Sequence, residues 1–138
     1  MKAITATVVV SNLLDELLCE ESAAARDLVR SIQLDDVVWS TNATNVFLPT
    51  DVINKLGLAL KREVDVWTCR GLVKTHLFEG VVIYFRDRSF TTNVVGLPEG
   101  DAPLLGTIAM LAMGIELDLI KQELRLLPMD STQSYLRA

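Results

Sequence analysis

Runs in which every second residue is apolar alternate along this chain with runs in which apolar residues recur every three or four positions. Ala3 to Val10 is rich in Thr and Val, which suits a pleated strand, and Ser11-Asn12 can end it or cap a helix behind it. From Leu13 to Val29 the apolar residues Leu13, Leu14, Leu17, Leu18, Ala24, Ala25 and Leu28 keep helical spacing, with Asp15, Glu16, Glu20 and Glu21 on the other side. A helix is expected there, either docked on the domain or reaching out to another protein. Arg30 to Val38 returns to strand character and ends on Val37-Val38-Trp39. Beyond Leu48-Pro49, Thr50 to Leu56 reads as a short helix, with a Thr-Asp start suited to capping and Gly57 just past its end.

The second half is richer in hairpins. Glu63 to Thr68 and Leu72 to Phe78 alternate around a tip at Cys69 to Gly71, and Val81 to Phe85 and Phe90 to Val95 are joined through Arg86-Asp87-Arg88. The stretch from Leu97 to Pro103 breaks regular structure. Leu104-Leu105-Gly106 then leads into a helix over Thr107 to Met113, closed by Gly114. Ile115 to Leu119 and Glu123 to Leu127 make a last hairpin across Ile120-Lys121-Gln122, and the tail after Pro128 is polar. An internal repeat runs through this pattern. Leu48 stands nine residues before Gly57, Leu105 stands nine before Gly114, and each pair brackets a short helix followed by β-type sequence. Two such units predict a pseudo-symmetric β domain.

With 138 residues, half of them apolar, the chain can bury the core of one domain. A formal net charge of −5 with no Lys/Arg stripe argues against nucleic acid and anionic lipid as partners. No apolar run approaches the roughly 18 residues that would span a bilayer, and the first residues are too polar for a secretory leader. Cys19 and Cys69 are far apart and fit no metal spacing, so two reduced thiols in a cytoplasmic protein are expected, with no metal and no cofactor. His76 is the only histidine.

These residues resemble the single-lobe, retropepsin-like aspartic proteases of the bacterial type. The signature of that family is a hydrophobic strand ending in Asp-Thr-Gly-Ala-Thr and continuing to Leu-Pro. Here the run is Val37-Val38-Trp39-Ser40-Thr41-Asn42-Ala43-Thr44, then Leu48-Pro49, followed by a helix and Leu56-Gly57-Leu58. The second signature, two hydrophobic residues and a glycine opening a helix, is matched by Leu104-Leu105-Gly106. Gly114-Ile115-Glu116-Leu117-Asp118 and a closing Leu126-Leu127-Pro128 come after it. Val10-Ser11-Asn12 and Val29-Arg30 also look like bacterial and cyanobacterial members. The resemblance covers nearly the whole chain. It implies a mainly β domain over residues 1–128, a closed β-barrel with two or three short helices, and a flexible tail over 129–138. It also implies a single-lobe subunit of a homodimer, with Ala3 to Val10, Glu123 to Leu127 and the Ser40 to Ala43 loop at the interface.

The departures decide function. Ser40 stands at the family's catalytic aspartate and Asn42 at its glycine. In the family each subunit supplies one aspartate, and the two carboxylates share a proton because like charges so close cannot both ionise. A serine hydroxyl has no accessible anionic form near neutral pH, so a Ser40 pair could hold a water but not take its proton. General acid–base catalysis contributes about 10² to 10⁴-fold for each group, and symmetry removes both groups at once. Asn42 fits the same account, since Asn tolerates the left-handed backbone that a glycine would supply. A serine nucleophile would need a base, and His76 falls on a different strand.

The resemblance therefore implies a pseudo-protease: a vestigial loop of Ser40, Thr41, Asn42 and Ala43, and a cleft and flap formed by Trp39, Thr44, Cys69, Arg70 and Gly71. Trp39 and Trp67 read as core or cleft wall. At the flap tip the family commonly has Ala-Asp-Gly; here Arg70 replaces a negative charge by a positive one and favours a carboxylate or acidic peptide, unless it is only a solvated turn residue. Three readings stay open. The chain is a non-catalytic homodimer binding a protein or peptide, a hydrolase that has recruited another carboxylate such as Asp101 or Asp36, or a structural scaffold subunit.

Overall fold

The computed structural model describes residues 3–20, 28–68 and 70–128. Its elements in chain order are β1 (Ile4–Asn12), α1 (Leu13–Glu20), β2 (Ser31–Trp39), β3 (Val46–Pro49), α2 (Thr50–Leu56) and β4 (Ala59–Thr68). Then come β5 (Gly71–Phe85), β6 (Arg88–Leu97), β7 (Leu104–Leu105), α3 (Thr107–Met113), β8 (Ile115–Asp118) and β9 (Glu123–Leu126). Seven strands form one sheet in the order β1-β2-β7-β3-β6-β5-β4, and β1 also pairs with β5. Six strands are thereby joined in a ring of pairings, β4 lies outside it on β5, and β8 and β9 make a separate two-stranded sheet. Inside the ring sit the inward residues of alternating strands, among them Val8, Val10, Val37, Val46, Ile83 and Val94, with Ile53, Leu56 and Met113 supplied by the helices. The chain is mainly β with three helices among the described residues, none long and apolar enough to cross a membrane.

The repeat read from the sequence is a real unit of the fold. β3 leads into α2 and Gly57, and β7 leads into α3 and Gly114. Both glycines take the left-handed conformation, at φ 66° and φ 67°, which ends a helix at no steric cost. β2 runs parallel to β7, β6 runs parallel to β3, and β3 and β7 meet antiparallel between them. An arginine belongs to each unit as well. Arg30, just before β2, lays its guanidinium over Gly57, and Arg88, the first residue of β6, donates from Nη1 to the carbonyl of Met113 at 2.7 Å and of Gly114 at 3.3 Å.

Several expectations are corrected. The helix expected through Val29 is observed for Leu13–Glu20; residues 21–27 lie outside those described, and Leu28 to Arg30 are not α-helical. The reason is a clasp that returns the chain to the end of β1. Asn12 N–H donates to the Arg30 carbonyl at 2.9 Å, and the Asp15 carboxylate accepts from Arg30 N–H at 3.0 Å and from Nε at 2.8 Å. Hydrogen bonding to the guanidinium holds the Asp15 carboxyl below its ordinary value. α1 is capped by Asn12, whose Oδ1 accepts from Asp15 N–H at 3.0 Å. No α1 residue is buried, and Leu14, Leu17 and Leu18 face outward, Leu14 at 63% exposure. The helix is fastened to β5 by Tyr84, whose hydroxyl donates to Glu16; burial first, and then this bond, push the Tyr84 phenol up to about 12.

α2 spans the expected residues, but its N-cap is Pro49 with no side-chain bond. The break expected at Glu79-Gly80 is a bulge inside one 15-residue strand, where the β5–β6 register shifts between Phe78 and Val81. β3 is an addition to the expected elements. The tail from 129 lies outside the described residues.

Candidate functional site

β2 ends on Trp39, and its ladder with β7 continues one residue further, where Ser40 N–H donates to the Leu105 carbonyl at 3.1 Å. The chain then turns through Ser40 to Asn45 before entering β3. Inside the turn the Ser40 hydroxyl accepts from Asn42 N–H at 3.1 Å. The carbonyls of Asn45, Ala43 and Thr44 accept from the N–H groups of Gly106, Thr107 and Ile108, at 3.0, 2.9 and 3.1 Å. These are the N–H groups that a helix start leaves without partners, which explains why α3 needs no capping side chain. The fit is close enough to require a glycine. A Cβ on Gly106 would stand 2.5 Å from the Ala43 carbonyl oxygen and 2.6 Å from the Ala43 and Thr44 carbonyl carbons.

Above this loop hangs the hairpin of β4 and β5. Its tip is tied by Thr68, whose hydroxyl donates to the Gly71 carbonyl at 2.9 Å and accepts from Arg70 N–H at 3.1 Å. The cleft between loop and hairpin consists of three spaces that share lining residues. One, of about 550 Å³, runs from Ser40, Asn42, Ala43 and Thr44 across to Asp65, Trp67 and Thr68. A second, of about 560 Å³, follows β4 from Arg62 to Val66 and meets the first at Asn45, Asp65, Val66 and Val95. A third, of about 380 Å³, lies toward Pro98 and Asp101 and includes Arg70 and Lys74.

Ser40, Asn42, Ala43 and Thr44 are thus brought together on the cleft, and Arg70 stands at its far end. Thr41 is exposed and Gly71 closes the hairpin, but neither lines these spaces. Cys69 lies outside the described residues. Trp39, expected on the cleft, is in the core at 3% exposure, its ring 5.2 Å from that of Phe85; as the last residue of β2 it points inward beneath the loop. Trp67 is the opposite case, 79% exposed on the hairpin and on the cleft wall.

Sequence reasoning missed Asp65, Val66, Asn45 and Lys74. All but Asn45 lie on the two hairpin strands, whose alternation is legible but whose approach to the Ser40 loop is not. The only signal is that the hairpin comes directly after the helix of the first repeat unit. Of the carboxylates considered as replacements, Asp101 lines the third space and Asp36 is exposed on β2, off the cleft. His76 faces Glu63 across β4 and β5, Nε2 to Oε1 3.9 Å, and does not line the cleft, so Ser40 has no histidine base. Among the described residues no cluster of three or more His, Cys, Asp or Glu could hold a metal.

The ring of strands, the two strand–helix–glycine units and the hairpin over the loop have the fold of a retropepsin-like aspartic protease subunit. Among solved structures, the chain is similar to EIAV protease complexed with the inhibitor HBY-793, at 19% identity and a TM-score of 0.50. The match covers 79% of this chain and 86% of that one, and it is a likeness of fold. No protein-family model matches the chain, and no curated protein matches it.

Proposed function

We propose that this chain is a pseudo-protease: a non-catalytic homodimer of closed-barrel subunits, each formed by residues 1–128, that binds a protein or peptide in the cleft beneath the β4–β5 hairpin. The observation that carries this reading is Ser40. It occupies the head of a loop held by four backbone hydrogen bonds to Leu105, Gly106 and the start of α3, and its hydroxyl serves the turn by accepting from Asn42 N–H. Such a group can hold a water or a peptide carbonyl but cannot act as a base near neutral pH. Dimerisation is favoured by strand edges that are unpaired among the described residues: β1 meets β5 only from Val9 to Asn12, leaving Ile4 to Val8 open on that side, and β9 pairs only with β8.

The test is Ser40→Asp combined with Asn42→Gly, assayed for peptide cleavage beside the parent, with sedimentation of both. The parent should be dimeric and inert and the double variant dimeric and active. A monomeric parent, or a parent that cleaves, defeats the reading.

A second reading, aspartic-type hydrolysis by a recruited carboxylate, is favoured by one observation: Asp65 lines the same space as Ser40. It requires parent cleavage at acid pH that is lost in Asp65→Asn.

A further inference from the structure

We infer that the third space of the cleft is a subsite for an apolar group with a carboxylate beside it, so that the peptides this chain selects are acidic at that position. The inference rests on the peptide-binding reading above and adds the chemistry of the ligand.

Phe47, Val73, Leu97 and Pro98 give this space an apolar floor and walls. Filling it with an aliphatic or aromatic side chain removes apolar surface from water on both partners. Two of its hydroxyls are already engaged: Thr75 donates to the Gly96 carbonyl at 2.7 Å, and Thr68 serves the hairpin tip. The polar side chains left to greet a ligand are the Thr50 hydroxyl and three charged groups. Arg70 and Lys74 stand on the hairpin side, and among the described residues neither is in an ion pair. Asp101 stands on the loop that follows β6.

Two cations and one carboxylate line this space in a chain of net charge −5, and Asp65 stands opposite Lys74 across the hairpin, which leaves the positive end at Arg70. An anionic group is therefore drawn to the hairpin end, where Arg70 can take a carboxylate in a paired hydrogen bond. Asp101 sets the direction, because an anion placed beside it is repelled, whereas a ligand N–H is accepted. A bare inorganic anion would leave the apolar floor uncovered, so the apolar group and the carboxylate belong to one ligand. The carboxylate can come from an Asp or Glu side chain or from a free peptide C-terminus.

Fluorescence anisotropy with four labelled extended peptides tests this: one with internal Leu-Glu and one with internal Leu-Gln, both amidated, and one ending in Leu as the free acid or as the amide. At least one carboxylate peptide should bind about tenfold tighter than its neutral twin, and which one does so names the source. The preference should weaken with added salt and vanish in Arg70→Gln with Lys74→Gln, two exposed changes whose fold is checked by circular dichroism. Equal binding of charged and neutral peptides overturns the subsite and leaves peptide binding standing. Failure of all four to bind overturns both.

Discussion

In the first unit of the repeat two residues finish the end of α2, with the buried Asn12 amide donating to the Leu56 carbonyl at 2.7 Å and the half-exposed Arg30 lying over Gly57 while paired to Asp15. In the second unit a single buried residue does the equivalent work. Arg88, 8% exposed, donates to Met113 and Gly114 and also from Nη2 to the Leu127 carbonyl at 2.6 Å. The loops differ in the same sense. Ser40 to Asn45 is bound by four backbone hydrogen bonds to β7 and α3, whereas its counterpart from Pro98 to Pro103 has one within itself, Asp101 N–H to Pro98 at 3.2 Å, and one to Val38. The loop that begins at Ser40 is thus the more firmly built of the two.

The largest test of that contrast is a matched glycine pair. Gly106→Ala should cost about 3 kcal/mol, since backbone on the Ser40 loop cannot yield to the added carbon. Gly100→Ala, with open space around it, should cost about 1 kcal/mol through its φ of 95° alone. Chemical denaturation measures both, and equal losses would show that the two loops are equally constrained.

Next comes the arginine pair. Arg88→Leu should destabilise by about 2 kcal/mol, because it strips buried carbonyls of a charged donor. Arg30→Leu should shift the midpoint less, as the Arg30 side chain is half exposed. Identical shifts would break the comparison.

A smaller effect comes from pH. Asp15 titrates below its ordinary value when folded, so its contribution is fully present above about pH 4 and is lost as pH falls through the lowered value. The stability gap between parent and Arg30→Leu should therefore close on acidification. Tyr84 has the opposite sign. Its raised phenol stabilises below about pH 10 and ceases to do so as pH rises to about 12. In a Tyr135→Phe background its absorbance midpoint should fall in Glu16→Gln yet stay above 10, since burial is the larger cause.

Much of this is legible in the sequence, and the failures have particular causes. α2 and α3 are readable residue by residue because a glycine stops each of them. β3 escapes notice because Val46 to Pro49 is a short apolar run without alternation; its neighbours on both sides decide it. The arms Leu72 to Phe78 and Val81 to Phe85 look like separate strands because local sequence cannot distinguish an interruption from a bulge in a strand held by partners. At the site, the loop from Ser40 to Thr44 is readable from its own residues, while Asp65, Lys74 and the third space depend on how a distant hairpin folds over it. For Trp39 the sequence leaves core and cleft wall open, because proximity to Ser40 says nothing of which face a strand residue takes, and the core is where it lies.

The clasp at Asn12 and Arg30 has a consequence for modularity. One rung joins the residue before α1 to the residue before β2, so everything from 13 to 29 is a detour between two points that already touch. Its length bears only weakly on closure entropy, and the strand register on either side does not depend on what it contains. That makes it a natural port for grafting: a foreign epitope or a short Gly-Asn link placed there should leave the strands of both repeat units in register, at the expense, among the described residues, of the Glu16 contact and of the Asp15 contacts that hold Arg30.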